Sequence, residues 1–144
     1  MSSILVVEDC RDIAIILGRH LRDAGHDVTL AGDGAEALAM VQRVTPDCIF
    51  LDLMMPVMTG VQLLHELKRD PATAAVPIVL VSARVGEGRT HIFSEYDADY
   101  SLGKPFTRRQ ILDALATVLP HTTTRLPRFA GSRAAARDAL SYSI

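Results

Sequence analysis

Four short apolar runs in this 144-residue chain lead into residues able to do chemistry. Ile4 to Val7 runs into Glu8-Asp9, Cys48 to Leu51 into Asp52, and Ile78 to Val81 into Ser82, while the weaker run Tyr100 to Leu102 is followed by Lys104-Pro105. An acid after a single apolar run is usually a helix cap or a solvated loop residue. Three carboxylates, a hydroxyl and an ammonium placed alike are a different matter, because carboxylates gathered at one edge repel one another unless cations sit among them. Oxygen ligands with no histidine or cysteine beside them suit a hard ion, Mg2+ (or Mn2+), which takes one or two carboxylates and keeps several waters. Lys104 supplies the remaining positive charge. Such a set suits phosphoryl transfer, where a protein mainly positions groups and neutralises charge on the phosphoryl oxygens. A central carboxylate can be the nucleophile and carry the group as an acyl phosphate, and that role falls to Asp52. As an aspartate it is already ionised at neutral pH and needs no general base. Ser82 would donate a hydrogen bond, and Lys104 an ion pair, to the phosphoryl oxygens.

For these residues to meet, the apolar runs must be strands of one sheet. Between them lie helical patterns. Ile13, Ile16, Leu17, Leu21 and Ala24 follow i, i+3, i+4 spacing up to Gly25, a residue suited to a left-handed helix stop. A second helix is expected from about Ala35 to Val44, opened by Asp33-Gly34 and closed by Thr45-Pro46, with Leu38, Val41 and Val44 on one face. A third carries Leu63, Leu64 and Leu67 ahead of Asp70-Pro71. Ile92, Phe93 and Tyr96 offer a short stripe for a fourth within Arg84 to Asp97, against Gly86 and Gly88, which weaken it. The last is the best marked: Thr107 and Gln110 form a capping-box pattern, Ile111, Leu112, Leu115, Val118 and Leu119 line a face, and Pro120 closes it. With a fifth apolar run, Val28 to Leu30, counted among the strands, strand and helix alternating five times with short connections imply an α/β domain, a parallel sheet covered on both faces. In such sheets the carboxyl ends of the strands form the binding edge, where the polar residues stand.

Composition removes several functional classes. Lys and Arg total 15 against 17 Asp and Glu, and a net charge of -2 gives no general reason for nucleic-acid or membrane affinity. No basic segment followed by a long apolar stretch opens the chain, and no run approaches the roughly 18 apolar residues of a membrane span, so a cytoplasmic protein is expected. Cys10 and Cys48 form neither a metal pattern nor a disulfide framework, and Cys48 reads as core. The histidines His20, His26, His65, His91 and His121 have no ligand spacing. Met54, Met55 and Met58 read as loop packing and not as a copper site.

The motifs Val6-Val7-Glu8-Asp9, Asp52-Leu53-Met54-Met55-Pro56 with Gly60, Ser82-Ala83 and Lys104-Pro105-Phe106 resemble those of the receiver domain of two-component response regulators. The spacing agrees with that family: Ser82 follows Asp52 by 30 positions and Lys104 follows Ser82 by 22. The resemblance covers about residues 3 to 119 and is to single-domain, chemotaxis-regulator-like members. It implies a flavodoxin-like, doubly wound sheet of order 2-1-3-4-5 and a cis Lys104-Pro105 bond. It also implies Mg2+ held by Glu8, Asp9, Asp52 and the backbone carbonyl of Met54. As partners it implies a sensor histidine kinase or histidine phosphotransfer protein upstream and a protein target downstream, in place of a dedicated enzyme's substrate. Self-catalysed transfer to Asp52 and slow autodephosphorylation would go with it.

Three rival readings are weighed. A phosphorylation-independent, receiver-like binding module would usually have lost one of the charged residues. A phospho-aspartate phosphatase would want an acid where Met54 stands. A flavin domain of the same fold needs free amides after the first strand, where Glu8-Asp9 would repel a phosphate. The sequence departs from the family at Ser101, three positions before Lys104, where an aromatic switch residue is usual. Tyr100 beside it would point to the opposite face. Switching is therefore expected to run through Ser82 and the segment after it. Residues 1–120 are expected to form the receiver domain, and 121–144 a short basic tail without an effector domain or direct DNA binding. Arg125, Arg128, Arg133 and Arg137 against Asp138 give the tail +3, leaving -5 on the rest. The tail is either a frayed end or a docking segment on this copy or a second one, the latter giving a homodimer.

Overall fold

The computed structural model describes residues 2–53, 55, 58–82 and 99–119. Five parallel strands, β1 (Ser3–Val7), β2 (Asp27–Ala31), β3 (Cys48–Asp52), β4 (Ile78–Ser82) and β5 (Tyr100–Gly103), form one sheet of order β2-β1-β3-β4-β5. The described helices are α1 (Arg11–Asp23), α2 (Gly34–Arg43), α3 (Gly60–Arg69) and α4 (Arg108–Val118). The strand order and the doubly wound α/β architecture are those expected. The possible helix within 84–97, Met54 and the tail lie outside the described residues.

Apolar runs without polar interruption become strands buried on both faces, and the two-residue side-chain period divides each run between two cores. Leu5, Val7, Ile49, Leu51, Ile78 and Leu80 face one way and pack with Ala37 and Val41 of α2 and Leu63, Leu64 and Leu67 of α3. Ile4, Val6, Cys48, Phe50, Val79 and Val81 face the other way and pack with Leu17 and Leu21 of α1 and Ile111, Ala114 and Leu115 of α4. Cys48 is fully buried, and burial pushes its thiol pKa far up, so it behaves as a small core hydrophobe.

Two helix faces differ from the expected ones. On α1 the buried residues are Ala14, Leu17, Gly18 and Leu21, while Ile16 and Ala24 are exposed. The cause lies at Gly18: a Cβ there would stand 3.3 Å from Leu30 Cδ2 and 3.6 Å from Val28 Cγ1. The missing side chain there lets the helix lie close against β2, with Ile16 turned outward. Val44, expected on the inner face of α2, is 70% exposed. It lies one residue past the helix in extended backbone, φ -143°, and its side chain leaves the helical face. Gly25 does adopt the left-handed conformation expected of it, φ 97°, and its N–H donates to the Arg22 carbonyl at 2.9 Å.

The capping box of α4 is formed in both directions: Gln110 N–H donates to Thr107 Oγ1 at 3.1 Å, and Thr107 N–H to Gln110 Oε1 at 2.8 Å. The same device opens α3, from Thr59 and Gln62. Thr107→Ala should therefore cost about 1 kcal/mol of stability, read as a lower thermal midpoint, with Thr107→Ser close to wild type. An unchanged midpoint in the alanine variant would remove the cap as a stabilising element.

Candidate acidic site at the strand ends

Each strand delivers its polar residue by ending where it does. Backbone bonds carry the ladder just past the strands: Glu8 N–H to the Ala31 carbonyl at 3.0 Å, Leu53 N–H to Val81 at 3.2 Å, and Lys104 N–H to Ser82 at 3.1 Å. These bonds hold the first residues of the loops in line with the sheet. The carboxyl ends of β1, β3, β4 and β5 thus present Glu8, Asp9, Asp52, Ser82 and Lys104 on one edge. One carboxylate oxygen from each of Glu8, Asp9 and Asp52 lies within 4.8 Å of the others. Glu8 and Asp52 are buried and Asp9 is exposed, so the cluster runs from the interior to the rim.

Lys104 closes the cluster from the β5 side. Its Nζ lies 3.0 Å from Glu8 Oε1 and 3.5 Å from Asp52 Oδ1. Burial by itself would lower the pKa of Lys104. The close contact and charge of Glu8, and then those of Asp52, outweigh it and hold the ammonium above the ordinary lysine value. The stability that comes from this charge is present below the unfolded lysine pKa and is lost only as pH rises through the raised folded one. The ion pairs therefore persist through the neutral range.

The second oxygen of Glu8, Oε2, accepts from the Cys10 N–H at 3.1 Å, which turns the start of α1 into a support for that carboxylate. Gly60 supports Asp52 from behind. A Cβ at Gly60 would collide with the Asp52 carbonyl oxygen and stand 2.7 Å from Leu53 Cα. Its N–H donates to the Leu53 carbonyl at 3.0 Å. The first residue of α3 is thereby seated directly on the end of β3.

The structure brings together Glu8, Asp9, Asp52 and Lys104, and places Ser82, buried, at the end of β4 next to β5 in register with Gly103. Lys104-Pro105 is cis. Ser101 lies on β5 opposite Leu80, half-buried, while Tyr100 packs on the α1/α4 core, on the other face of the strand as expected. Met54, expected to offer its carbonyl, is outside the described residues. The packing role of Gly60 went unread in the sequence, where it figured only as part of a motif. An acid-terminated strand followed seven and eight residues later by a helix-initiating Thr-Gly was its available signal. A surface groove of about 640 Å3, lined by Met58, Gln62, His65, Glu66, Lys68 and Arg69, contains none of the charged residues at the strand ends. It is an open hollow along α3 and carries no comparable chemistry.

All-oxygen donors at this separation, two of them buried and paired, among the described residues, with the Lys104 ammonium, fit a small hard cation. Known proteins agree with this geometry. The family model for the response regulator receiver domain matches residues 4–116, and the chain belongs to that family. It is 36% identical over 119 residues to the sensory transduction protein RegX3 of Mycolicibacterium smegmatis, covering 83% of this chain and 51% of the relative. The chain thus spans about half the length of the curated relatives it matches. Among solved structures, the chemotaxis response regulator CheY4 of Vibrio cholerae superposes with a TM-score of 0.77 at 32% identity, covering 83% of this chain and 99% of the other. The receiver domain of the sensor histidine kinase PA1611 from Pseudomonas aeruginosa does so with a TM-score of 0.74 at 28% identity, over 81% and 96%. That structure has a magnesium ion coordinated in its active site cleft. No helix among the described residues is long and apolar enough to cross a membrane.

Proposed function

We propose that this receiver takes a phosphoryl group on Asp52, from a sensor histidine kinase or a histidine phosphotransfer protein, and that the modified domain changes its protein contacts. The observation that carries this is the meeting of three carboxylates within 4.8 Å of one another with a lysine ammonium 3.0 and 3.5 Å from two of them. Among the three, Asp52 suits the nucleophile. Glu8 is held at both oxygens, by Lys104 and by the Cys10 N–H, and Asp9 is exposed at the rim. Asp52 stands buried at the end of the central strand, between the Glu8 and Lys104 sides of the cluster, with the Lys104 ammonium 3.5 Å from its Oδ1.

In the transfer, an Asp52 carboxylate oxygen forms a bond to the donor's phosphorus as the bond from phosphorus to the donor nitrogen breaks, and the electron pair leaves with the imidazole. Glu8, Asp9, Asp52 and the Met54 carbonyl would hold Mg2+ (or Mn2+), which when bound offsets negative charge between the carboxylates and the phosphoryl oxygens. Lys104 pairs with one phosphoryl oxygen and the Ser82 hydroxyl donates to another. Ser101, with no ring to reorient, leaves Ser82 and the chain that follows it to carry the change. The receiver is expected to comprise residues 1–120, with the basic segment 121–144 either a frayed end or a docking segment on this copy or a second one.

The test uses acetyl phosphate as donor. With Mg2+ the intact chain should gain one acid-stable, base-labile phosphoryl group, and chelation of the metal should prevent it. No uptake under these conditions would favour a receiver that binds partners without phosphorylation.

A further inference from the structure

The chain that joins β3 to α3 begins directly after Asp52, and the start of α2 presses against it. Gly34, the buried first residue of α2, makes the contact: a Cβ there would stand 2.8 Å from Met58 Cβ, 2.9 Å from its Cγ and 3.0 Å from its carbonyl oxygen. The Met58 Cβ and carbonyl oxygen move only with the backbone, so no rotamer change at Met58 makes room. Both flanking helices are fixed. At α2, Asp33 Oδ1 accepts from the Glu36 N–H at 2.8 Å and Glu36 Oε1 from the Gly32 N–H at 2.7 Å, while Ala37 and Val41 lie in the core. At α3, the Gly60 N–H holds the Leu53 carbonyl at 3.0 Å and leaves no room between Gly60 and the Asp52 carbonyl oxygen. A push on Met58 is therefore passed to the short stretch that leads back to Asp52.

We propose that Gly34 and Met58 are a positioning pair for the phosphoacceptor: the start of α2 is the wall against which the chain after Asp52 is set, and a glycine there fixes how close that chain comes. This deepens the phosphoacceptor reading above and rests on it. Neither residue touches the phosphoryl group. They act through the backbone that leads from Asp52, as Gly60 does from the α3 side, so that the end of β3 is held between two helix starts. Transfer between a carboxylate and a phosphorus atom depends on the reacting atoms being held in line, and a displacement of about 1 Å is enough to lower the rate by up to about a hundredfold. Close packing passes a shift of that size along the chain instead of absorbing it.

Initial rates of phosphoryl uptake by the intact chain, in saturating Mg2+ and over a range of acetyl phosphate concentrations, test this. Gly34→Ala should lower the rate at saturating donor on the order of tenfold and change the half-saturating donor concentration less than about twofold, the split expected when only the reacting geometry is disturbed. Ile4→Val, at the start of β1 and 1% exposed, loses core packing far from the strand ends. It should lower the thermal midpoint and leave the saturated rate within about twofold of wild type. Met58→Gly removes the two side-chain atoms nearest α2 and should by itself lower the saturated rate roughly threefold or more. Adding Gly34→Ala to it should then change the rate less than about twofold, because the two residues act as one contact. These Met58 variants decide the matter if Gly34→Ala alone does not fold. A wild-type rate in folded Gly34→Ala or in Met58→Gly, equal losses in Gly34→Ala and Ile4→Val, or a loss from Gly34→Ala undiminished in the Met58→Gly background overturns the positioning pair and leaves the phosphoacceptor standing. A wild type that takes up no phosphoryl group overturns the phosphoacceptor reading and the pair with it.

Discussion

Gly60→Ala should lose about 3–5 kcal/mol of stability, a fall of roughly 10 °C in thermal midpoint for a domain of this size. Two effects oppose each other at this position. Alanine is the better helix residue by about 1 kcal/mol, so an unobstructed glycine at the start of a helix would gain from the change. Here the new methyl would run into the Asp52 carbonyl oxygen and press on Leu53 Cα, both of them backbone atoms that no rotamer change can move aside. The clash exceeds the propensity gain severalfold. Gly32→Ala is the matched control: its Cβ would meet only the Glu36 carboxylate at 3.5 Å, the far end of a flexible side chain. If Gly60→Ala melts with the Gly32 variant and the wild type, α3 does not sit on β3 as closely as described, and Asp52 is not braced by it.

The second large effect concerns chemistry. Asp52→Asn should abolish phosphoryl uptake from acetyl phosphate in Mg2+, a loss of at least roughly a thousandfold, because a neutral amide oxygen is a poor nucleophile toward phosphorus and the product would lack the acyl phosphate. The substitution keeps the side-chain shape at a site that is 3% exposed, and circular dichroism should show the native fold. It also removes one of three like charges near Glu8 and Asp9, so unfolding is not an available explanation for lost uptake. Retention of uptake by a folded Asp52→Asn protein would move the acceptor to another residue, with Asp9 the exposed candidate.

Much of this arrangement was legible because polar residues follow directly on apolar runs. Ile4 to Val7, Cys48 to Leu51 and Ile78 to Val81 are uninterrupted, which is how strands buried on both faces read, and so Glu8, Asp52 and Ser82 could be placed on one edge. Thr107 and Gln110 marked the start of the last helix through a purely local rule, and the structure has it there. What escaped the sequence depends on distances between elements. The rotation of α1 follows from the approach of Gly18 to Leu30 and Val28, which periodicity counted within α1 does not include. Val44 has an apolar side chain at helical spacing, and only the backbone turn at the helix end sends it outward. That Lys104 meets both Glu8 and Asp52 depends on side-chain reach from the end of β5 to the ends of β1 and β3, strands that are not its neighbours in the sheet.

The most direct measurement is chemical mapping of the acceptor. Protein labelled by acetyl phosphate in Mg2+ and reduced with borohydride converts an aspartyl phosphate to homoserine, which peptide mass spectrometry locates by residue. The structure predicts homoserine at position 52, formed only when Mg2+ is present during labelling. Homoserine at position 9, a reduced glutamate at position 8, or a base-stable phosphoryl group on a hydroxyl such as that of Ser82 would contradict it.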